Sequence, residues 1–122
     1  IVAALSKNQL KDYYDLATEL GMAVLVETHT AQEIEDAMAI DPRIIGVNAR
    51  NLKTLDIDLN AFSELLPMIP DSIIRVAESG ISARSEVEVA QSAGANAILV
   101  GETLVRAGNP RAAVDQLLGR RP

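Results

Sequence analysis

Short, nearly unbroken apolar runs return along this chain roughly every 20–30 residues, and helical patterns fill the intervals. The runs are residues 1–3, 23–26, 44–47, 73–77 and 97–100. A strand with one wet face alternates apolar and polar residues. These runs do not, so they read as strands buried on both faces of a parallel sheet. The intervals carry their own punctuation. Ser6 and Gln9 form a capping box ahead of Leu10, Tyr13, Tyr14, Ala17 and Leu20, and Gly21 supplies the stop. Thr30 and Glu33 form a second box before Ile34, Ala37 and Met38, which Asp41-Pro42 ends. Asp58 is placed to cap a helix carrying Leu59, Phe62, Leu65 and Leu66. Ser82 is placed to cap one carrying Val87 and Ala90, closed by Gly94. Asn109-Pro110 opens a last helix with Ala113, Val114, Leu117 and Leu118 on one face.

A βα unit repeated five times, with crossovers long enough to be right-handed, fits two architectures. One is a free-standing doubly wound sheet, which about 120 residues would complete. The other is part of an eight-stranded βα barrel, which typically needs about 250. Strand order separates them: a barrel arc keeps sequential neighbours, whereas a doubly wound sheet reverses at a switch point. Composition removes other classes. The net charge is −6 and the only aromatic residues are Tyr13, Tyr14 and Phe62, so the basic face and stacking rings of a nucleic-acid binder are missing. Without cysteine there is no disulfide framework, thiolate metal site or cysteine nucleophile. The apolar runs fall far short of the roughly 20 residues a membrane helix needs. No basic segment precedes Ile1, so a signal peptide is not expected either, and the expected location is cytoplasmic.

The chemistry-capable residues collect where the apolar runs end. Glu27 follows residues 23–26; Asn48 follows 44–47, with Arg50 two positions on; Glu78-Ser79-Gly80 follows 73–77; Gly101 follows 97–100. In a parallel βα array all strand C-termini open on one face, and that face holds the site. Singly, each residue has a plainer use: Glu27 as a helix cap, Asn48 and Arg50 as loop hydrogen bonders, Gly80 and Gly101 as turn glycines with positive φ. Their coincidence on four successive strands favours a site. Ser79-Gly80 and Gly101-Glu102 would present backbone N–H groups and a hydroxyl to a phosphate, as barrels do after strands 7 and 8. Residues 103–107 are long enough for the extra helical turn that accompanies such a seat. Glu27 and Glu78 would repel that phosphate in contact, so they belong across the mouth from it. There they could serve proton transfer, while Arg50 could meet a substrate carboxylate. His29, the only histidine, reads as a loop hydrogen bonder, with an acid–base role as the alternative.

Four motifs in order resemble the indole-3-glycerol phosphate synthase family. They are Gly21-Met22-x-x-Leu25-Val26-Glu27-Thr28-His29; Ile45-Gly46-Val47-Asn48-Ala49-Arg50-Asn51-Leu52; Glu78-Ser79-Gly80-Ile81; and Leu99-Val100-Gly101-Glu102-x-Leu104. The resemblance implies a (βα)8 barrel of tryptophan biosynthesis. Residues 1–122 would be the C-terminal part of its single domain, parallel strands 4 to 8 with their helices. It implies conversion of 1-(2-carboxyphenylamino)-1-deoxyribulose 5-phosphate to indole-3-glycerol phosphate with loss of carbon dioxide and water, without metal or organic cofactor. By motif match Glu27 is the acid–base carboxylate of the dehydration stage, Asn48 and Glu78 orient and polarise substrate, and Arg50 is a substrate contact. Ser79, Gly80, Gly101 and Glu102 are the phosphate site.

Two departures matter. Asn51 stands where an acidic residue is more usual after the arginine. The family's general-acid lysine on an early strand has no counterpart: the lysines are Lys7, Lys11 and Lys53, and none follows a strand directly. Ring closure needs a cation at the carbonyl oxygen, so these 122 residues alone are expected to be inactive. An arc with two open edges is also expected to self-associate or to take its missing strands from another chain. The alternatives are another phosphate-binding barrel isomerase or synthase, which would show an Asp pair or a Schiff-base lysine at strand ends, and a non-catalytic receiver-like domain. A receiver would carry acids after the first strand and a lysine after the last, where this chain has Gly101.

Overall fold

A computed structural model describes residues 1–120. The chain opens with a 3-10 turn, Val2–Ala4, and helix α1, Lys7–Glu19. It then alternates: β1 Val26–Thr28, α2 Ala31–Met38, β2 Ile44–Asn48, α3 Asn60–Leu65 with a 3-10 turn at Leu66–Met68, β3 Ile74–Glu78, α4 Arg84–Ser92 and β4 Ala97–Leu99. Two helices follow, α5 Glu102–Arg106 and α6 Pro110–Leu117. The strands form one sheet in the order β1-β2-β3-β4, and every pairing is parallel. That sequential order, with no switch point, is the arc of a βα barrel and excludes the doubly wound and receiver-like arrangements.

The expected first strand is absent. Val2 and Ala3 lie in the 3-10 turn, where Ala4 N–H bonds to Ile1 O and Leu5 N–H to Val2 O. Ala3-Ala4 favours helical backbone, the Ser6 cap follows at once, and only Val2 of the run is buried. The described residues therefore hold four strands where five were expected. The second run also shifts. Pairing begins at Val26↔Ile45, so Glu27 sits within β1 rather than after it.

The helix signals largely hold. Ser6 and Gln9 make both capping-box bonds, 3.2 and 3.0 Å. Asn109 caps α6 by accepting the Ala112 N–H, and the turn expected at 103–107 is α5. Two caps are displaced by one residue. Asp58 accepts from Asn60 N–H, but α3 starts only at Asn60. At α4, Glu86 reaches back to the N–H groups of both Ser82 and Ala83, so the helix begins after Ala83.

Alternation along the strands separates two faces. Val26, Thr28, Ile45, Val47 and Ala77 are buried against Ile34, Ala37, Phe62, Leu66 and Ala90 of the helices. The opposite, concave face carries Glu27, Gly46, Asn48, Val76, Glu78 and Leu99, as the register places them. Ile74 and Leu99 on that face are about half exposed, at 49% and 53%.

Candidate active site

Glu27, Asn48 and Glu78 come together on the concave face at the carboxyl ends of β1, β2 and β3. Asn48 and Glu78 are paired in register, and Glu27 lies opposite Gly46, two residues before Asn48. Asn48 Nδ2 donates to Glu27 Oε1 at 2.8 Å, and its Oδ1 accepts the Arg50 backbone N–H at 2.9 Å. The main chain thus settles which end of the amide faces the acid. Burial, then the adjoining Glu27 charge, then the contact between the two carboxyls push the Glu78 carboxyl up to about 7. Its Oε1 is buried with no hydrogen-bond partner.

Gly46 makes room for this arrangement. A Cβ there would lie 1.7 Å from Glu78 Oε1 and 3.1 Å from Leu25 Cδ1. Because the clashing atom is the end of a side chain, Gly46→Ala is expected to fold while driving Glu78 toward solvent. The Glu78 carboxyl should then titrate nearer 4.5, its ordinary value. An unchanged Glu78 step in carboxyl-carbon NMR would contradict this.

Beside the carboxylates lies a cleft of about 790 Å³ lined by Arg50, Ser79, Gly80, Gly101, Glu102 and Arg106, among others. All four residues expected at a phosphate are therefore in one place, with Arg50. Ser79 and Gly80 both have positive φ, 70° and 75°. For a serine that backbone is strained, a feature that gathers at ligand-binding turns. Gly101 differs from expectation, with φ −119°. No backbone demand explains this glycine, and a Cβ there would meet nothing within 4 Å. What the missing side chain leaves is open cleft. Thr103 Oγ1 donates to Ile81 O at 2.7 Å, tying the two glycine turns to each other.

Arg50 is held by the loop that follows β2. It bridges to Ile57, and its guanidinium bonds Leu55 O and the Glu102 carboxylate, the latter at 3.1 Å. Arg106, which the sequence did not single out, reaches the other Glu102 oxygen at 3.1 Å. Asn51 Oδ1 accepts the N–H groups of Lys53 and Thr54, an acceptor role that a carboxylate would fill equally. His29, expected as a loop hydrogen bonder, lies between β1 and α2. Its backbone bonds Glu33, but its ring also lies 3.2 Å from Glu27. The Thr30–Glu33 capping signal hid this, because Glu33 reaches one residue beyond the cap, to His29 N–H.

Lys7 pairs with Asp36 and Lys11 with Asp15, both on α1, and Lys53 lies on the β2–α3 loop. Among the described residues no group of three or more His, Asp or Glu side chains is placed to hold a metal, and no helix is long and apolar enough to cross a membrane.

Residues 1–117 match the family model described as indole-3-glycerol phosphate synthase. The chain is 50% identical over 118 residues to the indole-3-glycerol phosphate synthase of Kineococcus radiotolerans, covering 97% of this chain and 43% of that protein. It is 54% identical over 111 residues to the same enzyme of an Arthrobacter species, covering 91% and 41%. It thus spans less than half the length of these curated relatives. Among solved structures it resembles a chain of the Amycolatopsis orientalis BexX/CysO complex, with a TM-score of 0.63, 24% identity, and coverage of 96% of this chain and 53% of that one. It also resembles a chain described as native KDPGal, with a TM-score of 0.63, 18% identity, and coverage of 93% and 51%. At such identities these two bear on the fold alone.

Proposed function

The chain belongs to the indole-3-glycerol phosphate synthase family, and on that premise we propose that it forms the C-terminal arc of a cytoplasmic barrel enzyme of tryptophan biosynthesis. The substrate is 1-(2-carboxyphenylamino)-1-deoxyribulose 5-phosphate. The observation that carries the reading is the meeting of Glu27, Asn48 and Glu78 at three strand ends, beside a cleft edged by two glycine turns.

The phosphate sits at Ser79-Gly80 and Gly101-Glu102, held by backbone N–H groups and the Ser79 hydroxyl. Arg50 faces the substrate carboxylate. The ring carbon bearing that carboxylate attacks the ketone, whose oxygen takes a proton, and carbon dioxide leaves as the ring regains aromaticity. The hydroxyl so formed then departs as water while the neighbouring carbon gives up a proton. Glu27, oriented by Asn48, handles protons in this dehydration. Glu78, protonated near neutrality, presents an O–H donor that polarises a substrate oxygen.

Ring closure also needs a cation at the ketone oxygen. Lys7 and Lys11 are committed to α2 and α1 carboxylates, and Lys53, on the β2–α3 loop, lines a hollow together with His29, Asn48 and Arg50. The family resemblance implies that this cation is a lysine on an earlier strand of the barrel, so residues 1–122 alone are expected to be inactive. The free sides of β1 and β4 are where the other strands, or a second copy, pair.

Gly80→Ala tests the phosphate seat. Its Cβ would lie 2.5 Å from Ile57 Cγ2 and 3.0 Å from Leu59 Cδ2 at a φ of +75°. In the complete enzyme KM for the phosphorylated substrate is expected to rise tenfold or more, about 1.4 kcal/mol, with a smaller change in kcat. An unchanged KM would place the phosphate elsewhere.

A further inference from the structure

Among the described residues, Glu102 is the only acidic side chain lining the cleft between the two glycine turns, and Arg50 and Arg106 are its only cations. A free carboxylate at that place would repel a phosphate, yet both Glu102 oxygens are engaged. Oε2 accepts from Arg50 Nη2 at 3.1 Å, and Oε1 lies 3.1 Å from Arg106 Nη2. Glu102 and Arg106 stand one turn apart on α5, with the acid toward the N-terminus, the favourable order for such a pair. The Arg106 side chain is 79% exposed, so this pairing adds little stability. Its effect is on geometry.

Arg50 is anchored from its other side as well. Its Nη1 donates to Leu55 O at 3.3 Å. Leu55 has a φ of 64°, a left-handed backbone uncommon for leucine, and its N–H bonds Asn51 O at 2.8 Å. The β2–α3 loop thus folds back in a strained form that presents a carbonyl to this guanidinium. With Nη1 tied to the loop and Nη2 to α5, two separate elements set the plane of the group. Nε and the second hydrogen on each terminal nitrogen stay free for a ligand. A carboxylate binds a guanidinium best in plane, through two parallel bonds, so aim matters as well as charge. We propose that Glu102, braced by Arg106, is a positioning residue that aims the Arg50 guanidinium at the substrate carboxylate. This rests on the substrate assigned above and gives the Glu102 side chain a task distinct from the backbone seat of the phosphate.

The product supplies the test, because it keeps the phosphate and has lost the carboxylate as carbon dioxide. Two probes are titrated into the complete enzyme: the substrate with its ketone reduced to an alcohol, and indole-3-glycerol phosphate. Both carry the phosphate, so a change at its seat cancels in the ratio of their dissociation constants. Glu102→Ala and Arg106→Met are each expected to weaken the reduced substrate about tenfold relative to the product, the scale of one charge-assisted bond lost. Arg106→Lys, which keeps a cation beside Glu102, recovers most of that loss. The two side chains are 57% and 79% exposed, so these variants are expected to fold. An unchanged ratio in Glu102→Ala overturns the proposal. A ratio shifted toward the reduced substrate does so too, since it would make Glu102 a competitor for Arg50 rather than its guide. If the parent enzyme binds neither probe, the proposed function fails and takes this inference with it. Binding of both probes by the parent, with the ratio unmoved in Glu102→Ala, leaves that function standing and removes the inference alone.

Discussion

Glu78→Gln is expected to become more stable than the parent as the pH rises, while losing turnover. Burial and Glu27 raise the folded-state Glu78 carboxyl from 4.5 to about 7. Between those pH values the folded protein holds a proton that the unfolded chain has released. Stability therefore falls as the pH climbs through the window, and the loss is complete above the folded value. Glutamine stays neutral throughout and keeps the shape, so the gap between variant and parent should widen across this range. The widening should be on the order of 2 kcal/mol, given about 1.4 kcal/mol per pKa unit. Urea unfolding at pH 5 and pH 8 measures it; parallel behaviour of the two proteins would sink the assignment of a buried proton at Glu78. On the proposed role of Glu78 as the donor that polarises substrate, its loss in the complete enzyme should lower kcat by roughly 10²–10⁴-fold. Stability gained and activity lost at one residue is the mark of a strained functional group rather than a structural one.

Phe62→Ala should give the largest loss of stability of any single truncation in the arc, about 3–5 kcal/mol. Phe62 is fully buried in the core beneath the sheet, with Ile34, Ile45 and Leu66. Helix α3, which carries it, has only six residues and no side-chain bond from its cap residue, so its position depends on this anchor. Domain stabilities are about 5–15 kcal/mol in total, so the variant would unfold at much lower urea. A loss below about 1.5 kcal/mol would mean that the helix layer closes over the gap.

The placement of the candidate site's residues was readable because a parallel array has only one place for polar groups to converge. Glu27, Asn48, Arg50, Glu78, Ser79, Gly80, Gly101 and Glu102 all lie where strand ends put them. Two kinds of information were hidden. The first was secondary structure that the apolar pattern does not decide: residues 1–3 look like a strand, but Val2–Ala4 turns helically ahead of the Ser6 cap, packed beside β1 without pairing to it. The second was side-chain reach. Glu33 looked like an ordinary capping glutamate, yet it passes over Thr30 to hold His29, and Arg106 reaches Glu102 from one turn along α5. Local patterns record which residues share a turn, not which neighbour a flexible side chain selects.

The sequential order of the strands bears on how the sheet can assemble. Glu27 meets Gly46, Gly46 meets Val76 and Glu78 meets Leu99, so each pairing closes a loop of only about 20–30 residues, and doubling such a loop adds about 0.6 kcal/mol of closure entropy. Among the four described strands, none must wait for a distant one. As the chain leaves the ribosome, each βα unit can dock on its predecessor, and Glu27 and Asn48 can meet before the two glycine turns at Gly80 and Gly101 have been synthesised.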